Sequence, residues 1–440
     1  MKLTRIIHPI GQGGFYTETL SEGNQTIEII YDCGGFGNNW RLNSYSNHYM
    51  NDDMNNYLKS YIEYIKGTKR KTIDAIFISH FHVDHINGLQ FLLDNDDITV
   101  KFLIIPQLTD DVFFEALMYS DTYMSEDRIY NELFEGKTSQ FLFDLYNSRN
   151  SSYNKTKIIQ IEERDEDNRV EPFSFKNPDD DSFVFCTPKN SSTSNVYRLG
   201  SVFSCGNKWF YVPFNSKVKT ANTIPPLSDR LRLAMKEDLK SAIKDDLQSE
   251  QESLNWYFGE DYKSFNFEKD FEKHFDYHYN NNLTKIIQRI GVNKCKETYE
   301  SIFGNNHNHY CMTLFSGTES CHIINNYDMY LKGNNMIPDN PNCLYTGDFE
   351  PKNNIEALEK FYKSVWNQIA SVQVPHHGSR NNCCEELYKY PIRGFVSVGN
   401  NNTFKHPGID TLVKMKDNNC EPIIVTEDKS SMKIYQYELV

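Results

Sequence analysis

Apolar positions in this chain come mostly in runs of strand length, separated by glycine, asparagine and charged turns. Near the N-terminus Phe15 to Leu20 follows Gly11-Gln12-Gly13-Gly14, and Thr26 to Tyr31 leads into Asp32-Cys33-Gly34-Gly35. Both read as strands bounded by tight turns. Thr72 to Ile78 is β-branched or aromatic apart from Asp74 and Ala75, which predicts a buried strand. Asn87 to Leu93 then opens a helix, and Lys101 to Pro106 is a further strand. The middle changes character. Residues 108 to 180 mix helical and polar segments and end in a charged stretch, 182 to 213 return to strand pattern, and 228 to 303 are helical and highly charged. Strands resume as Cys311–Phe315, Cys321–Ile324, Cys343–Thr346, Ala370–Val374, Gly394–Val398, Pro422–Thr426 and Lys433–Tyr437, with helical segments at 355 to 368 and 409 to 417 between them. An α/β architecture follows. Its expected division is an N-terminal half over 1–107, largely helical insertions over 108–300 that cover the site, and a C-terminal half over 301–440.

The polar residues that matter stand just after these runs. Ser79-His80-Phe81-His82-Val83-Asp84-His85 places three histidines and an aspartate within six positions, directly after the strand at 72 to 78. A strand-to-helix loop on a rigid scaffold can aim several side chains at one point. Neutral imidazoles with a carboxylate suit a borderline cation such as zinc. Three later clusters repeat the arrangement: Tyr345-Thr346-Gly347-Asp348, Val374-Pro375-His376-His377-Gly378-Ser379, and Asn400 to Pro407, which contains His406. Each is unremarkable by itself; their recurrence at strand ends is the signal.

Composition narrows the function. The 440 residues carry 46 Lys+Arg against 60 Asp+Glu, a formal charge of −14, which disfavours a broad basic face for duplex DNA. The mean hydropathy is low, −0.63, but 29 Phe and 28 Tyr supply bulk for a packed core. No stretch approaches the roughly 18 apolar residues of a membrane span, and the first residues have no apolar segment of signal-peptide length. The ten cysteines include no CxxC pair and read as reduced thiols. The expectation is a soluble, cytoplasmic protein without membrane contact.

The order His80-x-His82-x-Asp84-His85, then Gly347-Asp348, then a late histidine resembles the metallo-β-lactamase fold superfamily. Gly11-Gln12-Gly13, Asp32-Cys33-Gly34, Pro375-His376-His377-Gly378-Ser379 and Asn402-x-x-x-His406-Pro407 are similar to the hydrolase domain of ComEC-type competence proteins and their soluble relatives. The resemblance implies a four-layer αββα sandwich with two divalent metal ions, zinc or manganese, at the rim between the sheets. Carried over, His80 and His82 hold one metal, Asp84, His85 and His377 the second, and Asp348 bridges both. Asp32 supports the ligands from behind. One ligand departs from the pattern. Where a histidine is expected before the bridging aspartate, the chain reads Asn306-His307-Asn308-His309, so His309 or His307 fills the place, or an asparagine as in the competence-type proteins.

The chemistry implied is hydrolysis of a phosphodiester by a metal-activated hydroxide, in a nuclease or nucleotide phosphodiesterase. Asp84 ligates and orients the hydroxide, His376 lies beside the site, and His406 donates a proton or contacts phosphate. Ser379 and Arg380 bind a phosphate oxygen or serve as a turn cap and a surface charge, and Asn402 completes the substrate-binding set. The acidic balance favours a nucleotide or single-stranded nucleic acid as substrate. Two other readings stay open: a carboxylic ester, lactone or thioester hydrolase, and a regulatory module that binds a protein partner through the 108–300 insertions.

Overall fold

A computed structural model describes residues 1–35, 52–109, 112–113, 115–116, 137–164, 171–175, 183–188, 195–217, 227–247, 271, 275, 286–287, 290–303, 310–319, 329–332, 335–402 and 404–439. The chain forms two compact units. Unit 1 comprises Met1–Leu108, Phe143–Lys219 and Asn308–Val440; unit 2 comprises Thr109–Leu142 and Thr220–His307. The expected 108–300 insertion overlaps both units. Residues 143–219 belong to unit 1, because their apolar runs become strands that pair with the strands flanking them in sequence. Cys321–Ile324 lies outside the described residues.

Unit 1 is built on two sheets. The first runs β19 (Lys433–Glu438), β1 (Lys2–Ile7), β2 (Gly13–Glu22), β3 (Gln25–Gly35), β4 (Thr72–Phe77), β5 (Thr99–Pro106), β7 (Thr156–Ile161), β6 (Ser152–Tyr153), with β9 (Val196–Tyr197) beside β7. The second runs β18 (Glu421–Val425), β17 (Arg393–Ser397), β16 (Ser371–Gln373), β15 (Cys343–Tyr345), β12 (Tyr310–Gly317), β11 (Trp209–Lys217), β10 (Phe203–Cys205), β8 (Phe185–Cys186). Strands β3, β4, β5 and β7 are parallel, as are β15 to β18. Parallel strands are covered on both faces and read as unbroken apolar runs. β4, buried at every position, shows this.

Between the sheets lies one core, with Ile29, Ala75, Phe77 and Ile104 of the first sheet meeting Tyr211, Met312, Leu314 and Phe395 of the second. On the outer face of the first sheet, Tyr61 and Tyr64 of the helix Asp52–Gly67 pack on Phe15 and bond Glu28. The outer face of the second sheet buries Leu358, Phe361 and Met415 of the helices Pro351–Phe361 and Ile409–Asp417 against Val212, Phe214, Val372 and Val396. The result is the expected αββα layering. A buried ion pair of the first sheet is hydrogen-bonded to the second sheet across the core. Glu18 of β2 binds Arg5 of β1 at 2.7 Å and accepts hydrogen bonds from Tyr345 (2.8 Å), Tyr211 (2.8 Å) and Ser316 (2.6 Å) of the second sheet. With its oxygens satisfied, the carboxylate fixes how the two sheets register rather than adding much net stability.

The ligand-bearing segments follow the C-terminal ends of parallel strands, β4 in one sheet and β15 and β16 in the other, and the His406 loop follows β17. Backbone contacts close this rim: Met312 N donates to Ser79 O at 2.8 Å, and His376 N to Gly347 O at 3.1 Å.

In unit 2, Leu231, Met235 and Leu239 recur every four residues on the buried face of the helix Leu227–Leu247. It packs with the helix Val292–Phe303, where Thr298 Oγ1 donates to Asp238 Oδ2 at 2.6 Å and Tyr299 bonds Glu115. Among the described residues, no helix is long and apolar enough to cross a membrane.

Candidate functional site

The loop after β4 is held from below by glycines that no other residue could replace. A Cβ on Gly13, whose φ is +136°, would stand 2.4 Å from Asp84 O, and one on Gly34 would stand 2.5 Å from the Asp84 carbonyl carbon. The loops Gly11-Gln12-Gly13 and Cys33-Gly34-Gly35 therefore approach the ligand turn backbone to backbone. Gly347, at φ +54°, does the same from the second sheet, since its Cβ would lie 2.5 Å from Ser79 Cβ.

Two groups of side chains converge there. His80, His82 and Asp348 form one, and Asp84, His85 and His377 the other, with the ligand atoms of each group within 4.8 Å of one another. Asp348 reaches into both: its Oδ2 is 3.7 Å from His80 Nε2, and its Oδ1 is 3.3 Å from His85 Nε2 and 3.7 Å from His377 Nε2. Asp84 Oδ2 is 3.2 Å from His377 Nε2.

Each of three rings is held through Nδ1, which turns Nε2 inward. His85 Nδ1 bonds Asp32 Oδ2 at 2.8 Å, His80 Nδ1 meets Ser79 Oγ at 2.9 Å, and His377 Nδ1 donates to Ser397 O at 3.0 Å. Asp32 also accepts from Ser79 N at 2.7 Å and Ser79 Oγ at 2.8 Å. This is the arrangement by which groups behind a metal set the tautomer and aim of its ligands.

A metal fits this donor set. Among the described residues, the buried Nε2 atoms of His80, His85 and His377 make no hydrogen bond, a costly state for a buried polar atom unless something fills the space between them. Burial raises Asp84 and Asp348, but the neighbouring histidines outweigh it and hold both carboxyls well below the usual range. Burial lowers His85, yet Asp32, Asp348 and Asp84 together raise it well above an ordinary histidine. Burial, with His85 and His82 adding to it, pushes His80 down. Three buried carboxylates thus draw positive charge into a dry pocket, the charge a divalent ion brings when it displaces protons.

The remaining predicted residues divide. His376 and His377 both adopt left-handed backbone, φ 49° and 53°, costing about 1–3 kcal/mol each and placing two imidazoles in succession at the pocket. His376 belongs to neither metal group; its Nε2 lies 3.8 Å from Asp348 Oδ2 and its side chain is 32% exposed. The His406 ring lies 5.7 Å from His376 and 6.4 Å from His377. Burial first, then the charges of His377 and His376, lowers His406 to about 3, and burial likewise lowers His376.

Each of the three expected substrate contacts has a partner within the protein. Ser379 Oγ accepts from Asn381 N at 3.3 Å, the turn-cap alternative. Arg380 is 79% exposed and pairs with Asp410 at 2.5 Å. Asn402 spends its amide on the backbone: Nδ2 donates to Gly399 O and His406 O, and Oδ1 accepts from His406 N, each at 2.8 Å. Short polar side chains before a turn bond locally before they reach a ligand. His307, Asn308 and His309 lie outside the described residues. The sequence reading missed Ser79, whose only signal was its place before His80, and Gln373, whose Oε1 accepts from Thr346 N and Gly347 N at 3.0 Å and shapes the Asp348 turn. It also missed the Ser397 carbonyl, which no side-chain pattern marks.

Residues 23–101 match the family model of the metallo-β-lactamase superfamily. A comparison with curated proteins finds no match. Among solved structures, the chain is similar to the metallo-β-lactamase fold protein YhfI from Bacillus subtilis, at 11% identity and a TM-score of 0.21, over 49% of this chain and 55% of that one. The match thus spans about half the length of that protein. Residues 23–101 are thus similar to the metallo-β-lactamase superfamily, and the layered sheets are consistent with that fold. The paired His/Asp groups are ones that could hold metal ions.

Proposed function

We propose that this chain hydrolyses phosphodiester bonds of a nucleotide or a single-stranded nucleic acid. The observation that carries the reading is Asp348, within 3.3–3.8 Å of histidines from both metal groups and of His376. A carboxylate shared in this way suits a two-metal site of the kind used in phosphoryl chemistry. Two divalent ions bound there, zinc or manganese, would supply a nucleophile from water near neutral pH and offset the negative charge that builds on phosphorus.

His80, His82 and Asp348 would hold one ion, and Asp84, His85, His377 and Asp348 the other. Asp84, kept ionised by His85 and His377, accepts a hydrogen bond from the attacking water and orients it. His376 and His406 form the wall beyond the ligands. As neutral imidazoles they donate hydrogen bonds to a phosphoryl oxygen and to the leaving oxygen. That wall consists of the two segments that resemble ComEC-type hydrolase domains, Pro375 to Ser379 and Asn402 to Pro407. The formal charge of −14 favours a short anionic substrate over long duplex DNA, which needs many cationic contacts.

Metal analysis of the full chain, followed by assay of bis(p-nitrophenyl) phosphate, dinucleotides, a single-stranded oligonucleotide, p-nitrophenyl acetate and a lactone with and without chelator, tests this. The expected result is chelator-sensitive turnover of the phosphodiesters. Turnover of the ester or lactone with every phosphodiester untouched overturns it.

A further inference from the structure

On the loop that carries His406, one large ring faces solvent. Phe404 is 46% exposed, and its ring centroid lies 5.7 Å from that of His406 with 34° between the planes. His406 in turn lies 6.4 Å from His377 at 21°. The three rings descend from the surface to a candidate metal ligand with their planes inclined only modestly from one to the next. The loop that sets this spacing is tied at both ends. Asn402 closes it by its three hydrogen bonds to Gly399 and His406, and Gly408 N donates to Gly378 O at 2.9 Å. Gly378 packs so closely on Pro407 that a Cβ would stand 2.7 Å from its ring. The exposure of Phe404 is therefore built into a braced loop. A scattered surface phenylalanine needs no explanation, but this one stands beside a histidine that lies 6.4 Å from the candidate ligand His377.

We infer that Phe404 is a specificity-determining residue that stacks on a planar aromatic ring of the substrate, a nucleobase in the nucleotide class. The inference rests on the phosphodiesterase reading above and narrows it. Offset stacking on an exposed aromatic face suits any base, because every base has a π-face. The order of rings places that base on the solvent side of His406 and the phosphate on the metal side.

Equilibrium binding of adenosine monophosphate and of ribose 5-phosphate to the metal-loaded full chain tests the assignment without turnover, since the two probes differ only in the base. The wild type is expected to bind adenosine monophosphate about tenfold more tightly, within the range of one stacked base. That ratio falls toward one in Phe404→Ala and in Phe404→Leu, which keeps apolar bulk without a π-face, and is preserved in Phe404→Trp. Equal binding of the two probes by the wild type, no binding of either, or an unchanged ratio in Phe404→Ala overturns the inference. Base-dependent binding without hydrolysis of any phosphodiester retains the stacking role and removes the hydrolase reading. Phosphodiester turnover with a ratio of one does the reverse.

Discussion

Two of the loops that build the pocket have opposite character. The loop after β4 is buried and stitched: His80, Asp84 and His85 are almost wholly enclosed, glycine backbones press on it from below, and Asp32 and Ser79 fix its rings. The loop after β17 is open. Phe404 faces solvent, His406 is half-buried, and the loop holds its shape largely through the amide of Asn402. A loop that holds ions must be rigid and dry, because misplaced ligands lose affinity. A loop that meets substrates can sit at the edge of water. Substitutions in the first should therefore change metal content, and those in the second should change turnover and substrate preference while leaving metal in place.

The sharpest test is Asp84→Ala. It removes a ligand and the group that orients the water, so turnover should fall on the order of a thousandfold or more, with lower metal content by elemental analysis and an unchanged circular dichroism spectrum. Full metal content with intact turnover would erase the distinction between the loops. His406→Ala should lower turnover by about a hundredfold with metal content unchanged, and a phosphodiester with an activated leaving group should recover part of the loss. Loss of metal from this variant would move His406 into the ligand set.

Asp32→Asn keeps the shape of the side chain but removes the charge facing His85 Nδ1. Metal affinity should weaken by about 10- to 100-fold, the usual cost of losing a partner behind a ligand, read by competition with a chromophoric chelator. Asn402→Ala leaves the loop after β17 without its tie. Lost hydrogen bonds of this kind cost about 1–2 kcal/mol in total, so a modest drop in Tm and a raised KM with unchanged metal affinity are expected.

The smallest effect lies away from both loops, under the helix Asp52–Gly67. Burial raises Glu28 to about 7 despite hydrogen bonds from Thr19 and Tyr64. A carboxyl whose folded pKa exceeds its unfolded value of 4.5 adds stability below that value. It loses this stability as pH rises toward about 7. Glu28→Gln should therefore gain Tm relative to wild type between about pH 5 and pH 8. A pH-independent difference would mean that Glu28 titrates normally.

Much of this was legible in the chain. Period and punctuation placed β2 to β5 and β15 to β19, because apolar runs bounded by glycine have few other ways to bury themselves. The density of ligands from His80 to His85, and the recurrence of polar clusters at strand ends, marked the site. Other features needed three dimensions. Short runs such as Phe203–Cys205 become strands only where a neighbour offers a sheet edge. The backbone bonds of Ser379 and Asn402 and the Arg380–Asp410 pair are contacts that no residue pattern ranks.

By itself, then, the sequence determined which residue types were available for metal chemistry and which strands delivered them, since both follow from local pattern and side-chain chemistry. Only the tertiary structure decided that Asp348 stands between the two histidine groups, that the Ser397 carbonyl aims His377, and that Phe404 is exposed while Phe395, on the strand that leads into its loop, is buried. Those outcomes depend on how two sheets pack across Glu18 and Arg5, and packing is set by contacts between residues hundreds of positions apart.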